Sequence, residues 1–178
     1  MPDKYIVLDR DGVINVDLFD YVLKNETFEF EKGSIEALIK LSKNNYQIIV
    51  ATNQKCINLG LISAKGIEKI NNFWINKIKE LGGDILHIEV CPHRDEENCN
   101  CRKPKTGLLI AAEKELNISL KESYFIGDKL SDLECAVSHG CKPILVKTGY
   151  GSRTFGSSYP KGTKVFENLK AAVDWIVN

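Results

Sequence analysis

Asp9-Arg10-Asp11-Gly12 sets two carboxylates two residues apart, directly after the apolar run Tyr5–Leu8. In extended backbone, residues i and i+2 point to one side, so both acids can face one ligand while Arg10 points away. Gly12 permits a sharp turn without a Cβ penalty. Adjacent carboxylates resist joint ionisation unless a cation lies between them. With a divalent ion present, one can be an anionic nucleophile and the other an acid, then a base. Alone, the motif also reads as a turn carrying two solvated aspartates.

A second acidic group, Gly127-Asp128-Lys129 with Asp132, follows the apolar run Tyr124–Ile126. Asp128 can supply a further carboxylate to a hard ion, with waters and substrate oxygens completing an octahedron. By itself Asp128 is equally a helix N-cap, and Asp132 a first-turn acid. A phosphoryl group in transfer also needs donors on its equatorial oxygens. Thr52 and Asn53, just past the run Gln47–Ala51, offer a hydroxyl and an amide, and Lys103 offers a full charge.

Cys91-Pro92-His93 and Cys99-Asn100-Cys101 bring three thiolates and an imidazole together, a closed tetrahedral set for zinc. The intervening Arg94–Asn98 has no apolar residue with which to fold, so a metal would supply that energy. The alternative is a group of reduced cysteines. No position stays open on such a zinc, which makes it structural. The cluster runs straight into Arg102-Lys103, so clamping Cys99 and Cys101 also fixes Lys103. His87 and His139 read as ordinary strand-flank and helix-end residues.

These groups need a scaffold that collects them. Short apolar runs at Tyr5–Leu8, Gln47–Ala51, Ile85–Val90, Tyr124–Ile126 and Ile144–Val146 predict strands. Helical periodicity predicts helices over Ser34–Lys43, Ser63–Leu81, Thr106–Leu116, Ser131–His139 and Glu167–Val177. Alternating strands and helices imply an α/β fold, a doubly wound, mostly parallel sheet over residues 1–178 as a single domain. Ligands in such sheets bind beyond the carboxyl ends of the strands, where the acids, Thr52-Asn53 and Cys91 all fall. Residues 16–32 and 92–105 read as irregular, and Gly149–Gly162 as a mobile loop.

Asp9-x-Asp11-Gly, Thr52-Asn53, Lys103 and Gly127-Asp128-x3-Asp132 together resemble the four motifs of haloacid-dehalogenase-like phosphatases, in the same order. The resemblance implies Asp9 as nucleophile, Asp11 as general acid and then base, and Thr52 and Lys103 as phosphoryl stabilisers. It also implies magnesium on Asp9, Asp128 and the backbone carbonyl of Asp11. Val13 stands where the motif usually has threonine. The segments C-P-H and C-x-C-R-K-P are similar to a zinc-containing, almost capless subset, the heptose 1,7-bisphosphate phosphatases and the histidinol-phosphatases. LDRDGVINV over Leu8–Val16, with Tyr21-Val22, Thr52-Asn53-Gln54 and Val146–Gly149, resembles the heptose enzymes more. That resemblance implies a small phosphorylated sugar lined by Asp17, Tyr21, Thr52, Asn53, Gln54, Lys55, Arg102, Lys103 and Lys129, with Arg102 near a second phosphate. It also implies a monomer. Lys55 replaces a small polar residue of that family, Leu59 replaces an arginine, and the loop at Leu18-Phe19-Asp20 is one residue longer.

Composition bounds the rest. Lys plus Arg equals Asp plus Glu at 24 each, so there is no broad attraction to nucleic acid or anionic lipid. No apolar run approaches ~18 residues, so no membrane span is expected. No signal-peptide pattern is present, and the expected location is the cytoplasm. Histidinol phosphate is the alternative substrate. A receiver-type phosphoacceptor would place its aspartate after the third strand, where Cys91 stands, and a zinc-stabilised binding module would leave Asp9, Asp11 and Asp128 unexplained.

Overall fold

The computed structural model describes residues 4–178. Six strands run parallel in the order β3-β2-β1-β4-β5-β6: β1 (Lys4–Leu8), β2 (Tyr46–Asn53), β3 (His87–Cys91), β4 (Tyr124–Gly127), β5 (Lys142–Val146) and β6 (Lys164–Phe166). Helices α1 (Ser34–Lys43), α2 (Ala64–Glu80), α3 (Gly107–Leu116), α4 (Leu130–His139), α5 (Gly151–Phe155) and α6 (Leu169–Val177) fill the connections. The expected doubly wound parallel α/β fold is what forms.

Side-chain alternation explains the two layers. Ile6, Leu8, Ile48, Val50 and Ile126 point to one face and pack with Leu38, Leu41, Ile67, Trp74 and Val173 from α1, α2 and α6. Val7, Ile49, Ala51 and Phe125 point to the other and meet Leu108, Leu109 and Ala136 from α3 and α4. Both faces are covered, so the strands read as continuous apolar runs rather than alternating ones. Each buried Leu, Ile or Phe contributes about 1.5–3 kcal/mol.

Sheet order reverses direction between β1 and β4, which makes their carboxyl ends the binding crevice. Leu8 pairs with Ile126, so Asp9 and Asp128 leave neighbouring strands at nearly the same height. Several expectations shift here. Thr52 and Asn53 belong to the end of β2, paired with Val90 and Cys91, rather than following it. β3 starts at His87, two residues later than the apolar run predicts. The segment 149–162, expected as a mobile loop, contains α5, and β6 follows it. In place of a cap, residues 16–32 contain only a 3-10 turn at Asn25–Thr27 and an isolated Asn15–Phe30 bridge.

Candidate active site

Three carboxylates, from Asp9, Asp128 and Asp132, bring oxygens within 4.8 Å of one another. All three residues are buried. Lys103 threads between them, its Nζ 2.9 Å from Asp9 Oδ1, 2.7 Å from Asp132 Oδ1 and donating to the Ala51 carbonyl at 2.7 Å. Burial raises the Asp9 carboxyl to about 6, against the opposing pull of Lys103. Burial also lifts Asp128 well above the usual carboxylate range. For Lys103 burial works downward, but Asp132 and Asp9 overcome it and hold the ammonium charged. Asp128 Oδ1 is buried with no hydrogen-bond partner among the described residues, while Oδ2 accepts from the Tyr150 N–H at 2.8 Å. A buried, orphaned carboxylate oxygen beside two further acids fits a hard divalent cation such as magnesium.

Gly12 and Gly149 close over this cluster. Both have positive φ, 84° and 54°, and a Cβ on either would collide with Asp128 Oδ2. The Thr148 hydroxyl donates to the Gly12 carbonyl, and the Thr154 hydroxyl to the Asp128 carbonyl. The segment expected to be mobile is thus the clamp on Asp128.

Asp11 is held differently. Its carboxylate accepts from Arg10 Nη2 at 3.0 and 3.1 Å, from Asn15 at 2.9 Å and from Gln54 at 2.7 Å. Burial would raise it, but Arg10, Asn15 and Gln54 bring it below the usual range. The expectation that Arg10 points away is corrected: its side chain is fully buried and folds back onto Asp11. Thr52 lies beneath the cavity, its hydroxyl accepting from Gln54 Nε2 at 2.8 Å. The Asn53 amide and the Lys103 backbone bond reciprocally, at 3.1 and 3.2 Å, so β2 fixes where Lys103 begins.

A cavity of about 560 Å³ opens over Asp9. Of the residues expected at a sugar phosphate, Asp17, Tyr21, Asn53, Gln54, Lys55, Arg102, Lys103 and Lys129 line it; Thr52 does not. Lys129 Nζ sits 2.9 Å from Asp17 Oδ2 and 4.8 Å above the Tyr150 ring. Asp17 Oδ1 accepts the Phe19 N–H at 2.8 Å, so this carboxylate is occupied by the loop it belongs to. Asp95 meets Arg102 Nε at 2.7 Å and Lys55 Nζ at 3.3 Å.

Beside the cavity, Cys91, His93, Cys99 and Cys101 converge. Their sulfurs are 3.1, 3.5 and 3.7 Å apart. His93 Nδ1 lies 3.2 Å from Cys101 Sγ and 3.6 Å from Cys91 Sγ. A tetrahedron with metal–sulfur bonds of ~2.3 Å has edges of about 3.8 Å, so the donor set fits zinc. The Arg102 N–H donates to Cys99 Sγ at 3.3 Å, joining the cluster to the basic pair that follows.

Comparison with known proteins agrees with this geometry. Residues 100–172 match a family model described as HAD-hydrolase-like. The chain is 40% identical over 168 residues to the D-glycero-beta-D-manno-heptose-1,7-bisphosphate 7-phosphatase of Pseudomonas putida, covering 94% of this chain and 96% of that one. The enzyme of the same name from Helicobacter pylori is 39% identical over 175 residues, covering 98% and 97%. The crystal structure of D,D-heptose 1,7-bisphosphate phosphatase from B. bronchiseptica, complexed with magnesium and phosphate, superposes with a TM-score of 0.94 at 32% identity over 98% of both chains. The chain belongs to the heptose 1,7-bisphosphate 7-phosphatase family.

Within this member of the family, Asp9, Asp11, Lys103 and Asp132 line one cavity, and Thr52 does not. Asp132, the last residue of the G-D-x3-D pattern, holds the Lys103 ammonium, a role its spacing alone does not give. Asp95 and Tyr150 also line the cavity, and neither is expected there from the sequence. Tyr150 sits in a Gly- and Ser-rich segment that gives no local sign of a binding wall.

Proposed function

We propose that this chain is a magnesium-dependent phosphoric monoester hydrolase that removes the C7 phosphate of a heptose 1,7-bisphosphate through an aspartyl-phosphate on Asp9. The observation that carries this reading is the buried Asp9–Lys103–Asp132–Asp128 cluster at the floor of a sugar-sized cavity. Asp9, Asp128 and the Asp11 backbone carbonyl would hold magnesium, which would supply positive charge to the phosphoryl oxygens. The Asp9 carboxylate attacks phosphorus, and the bond from phosphorus to the sugar oxygen breaks. Asp11 gives that leaving oxygen its proton. Lys103, kept charged by two acids, stabilises the equatorial oxygens, with Thr52, whose hydroxyl accepts from Gln54 and keeps its own proton, as a further donor. Water then attacks the phosphorus, Asp11 takes its proton, and the bond to Asp9 breaks, releasing phosphate. Asp11 rests ionised against Arg10, so it must gain a proton before the first step and is already prepared for the second.

Tyr21, Asn53, Gln54, Lys129 and Asp17 surround the sugar in this reading, and Lys55 and Arg102 receive the second phosphate. Zinc on Cys91, His93, Cys99 and Cys101 is structural and holds the backbone that presents Lys103. The enzyme works as a cytoplasmic, single-domain monomer. Among the described residues no helix is long and apolar enough to cross a membrane, and none of the six cysteines is in a disulfide. The test is phosphate release with magnesium from heptose 1,7-bisphosphate and from histidinol phosphate in one preparation. Higher kcat/KM on the bisphosphate is expected; preference for histidinol phosphate would overturn the substrate and leave the mechanism standing.

A further inference from the structure

Lys55 and Arg102 do not stand free at the cavity wall. The Asp95 carboxylate spans them, Oδ1 2.7 Å from Arg102 Nε and Oδ2 3.3 Å from Lys55 Nζ. All three line the cavity that contains Asp9. A carboxyl group bonded to a guanidinium and an ammonium is an anion at neutral pH.

The three partners differ in how firmly they are placed. Arg102 has anchors of its own: Nη1 donates to the His93 carbonyl at 3.2 Å, and its N–H donates to Cys99 Sγ. Its side chain is 17% exposed. Lys55 is 37% exposed and Asp95 66%, on the short turn Asp95–Glu97. Removing Asp95 leaves the guanidinium in place; removing the cations leaves Asp95 with no reason to face the cavity. Asp95 is the movable member, and it sits where an anion would bind.

We propose that Asp95 is a specificity-determining residue, an internal anion that occupies the Lys55–Arg102 site and is displaced when the substrate's second phosphate enters. This rests on the reading of Lys55 and Arg102 as the distal phosphate site. With Asp95 seated, two cations present one net positive charge. A phosphate dianion gains by replacing one carboxylate. A neutral or cationic group does not, because it would leave both cations without a partner. Asp95 thus weakens binding of the second phosphate and narrows the preference for a bisphosphate over a monophosphate. The displaced ion pairs are solvent-exposed, and such pairs are weak, so the competition changes KM by about two- to fivefold.

The experiment compares wild type, Asp95→Asn and Asp95→Ala, with magnesium, on a heptose 1,7-bisphosphate and the matching 7-monophosphate at several salt concentrations. The expected result is a bisphosphate KM lower by about two- to fivefold. The kcat/KM ratio of bisphosphate to monophosphate rises by the same factor, and the effect shrinks as salt screens the pairs. An unchanged or raised bisphosphate KM in both variants would overturn the proposal. So would equal changes on both substrates, which would mark Asp95 as part of the loop's fold only. Arg102→Gln in the same assay separates the two layers. If it leaves the ratio unmoved, the distal phosphate lies elsewhere and the site reading fails together with the role of Asp95. If it lowers the ratio while Asp95→Asn does not raise it, only the role of Asp95 fails.

Discussion

Asn71→Leu should destabilise the fold through the middle residue of the paired-acid motif. Asn71 lies on the buried face of α2, and its Oδ1 accepts from Arg10 Nη1 and from Trp74 Nε1, both at 3.2 Å. Arg10 and Trp74 are each 0% exposed, so water cannot take over as acceptor. Arg10 Nε already lacks a partner among the described residues, which leaves the guanidinium little to lose. A hydrogen bond from a charged donor contributes about 1.5–3 kcal/mol and a neutral one about 0.5–1.5. Leucine keeps the shape and returns some apolar contact, so the net loss should be about 2–3 kcal/mol. For a chain this size that is a fall in Tm of roughly 5–10 °C. Urea denaturation should show a lower midpoint at constant slope. A wild-type midpoint for Asn71→Leu would refute the idea that Arg10 is a buried strut between α2 and Asp11.

The chemical predictions are sharper. Asp9→Asn should abolish turnover in a folded protein, since an amide cannot attack phosphorus, and Asp11→Asn should lose about 10²–10⁴ in kcat; wild-type kcat in Asp9→Asn with magnesium would refute the mechanism. Purified reduced protein should contain one zinc per chain, and Cys99→Ser should lower both zinc content by elemental analysis and Tm. Magnesium at about 100 times its Kd should stabilise by about 2.7 kcal/mol. Its effect carries a pH sign. Asp9 and Asp128 have folded values above unfolded ones, so the metal-free protein loses their contribution as pH rises through them. The magnesium shift in Tm should therefore grow between about pH 5 and pH 8. A shift independent of pH would count against these carboxylates as ligands.

Much of this was legible because it is local. Apolar runs set the five longer strands, and helical spacing set α1 to α4 and α6. β6 was not legible: Lys164-Val165-Phe166 is too short to show a period, and its pairing with β5 makes it a strand. α5 was hidden for the opposite reason. Its residues, Gly-Ser-Arg-Thr-Phe, read as loop, and hydrogen bonds from Tyr150 and Thr154 to Asp128 hold it in place. In the site, acids and thiolates declared themselves by type and spacing. Partners did not. Nothing in D-R-D-G says that Arg10 turns back to Asp11, because Asn71 on α2 anchors its guanidinium, or that Asp95 faces Lys55, because two loops must meet to pair them.

The charges of the cluster also dictate an order of binding. Asp9, Asp128 and Asp132 face Lys103, while Asp11 is matched by Arg10 and Lys129 by Asp17. Three carboxylates against one ammonium group leave two net negative charges in a buried place. A phosphate dianion entering first would double that charge where water cannot screen it. A magnesium ion entering first would cancel it and make the same dianion welcome. The raised carboxyls of Asp9 and Asp128 express the same imbalance, since a proton is the only cation the empty cluster can recruit. Lys103 cannot substitute for the metal. It is already shared between two acids, and its own position depends on Asn53 and the cysteine loop. Metal before phosphate therefore follows from the side chains themselves.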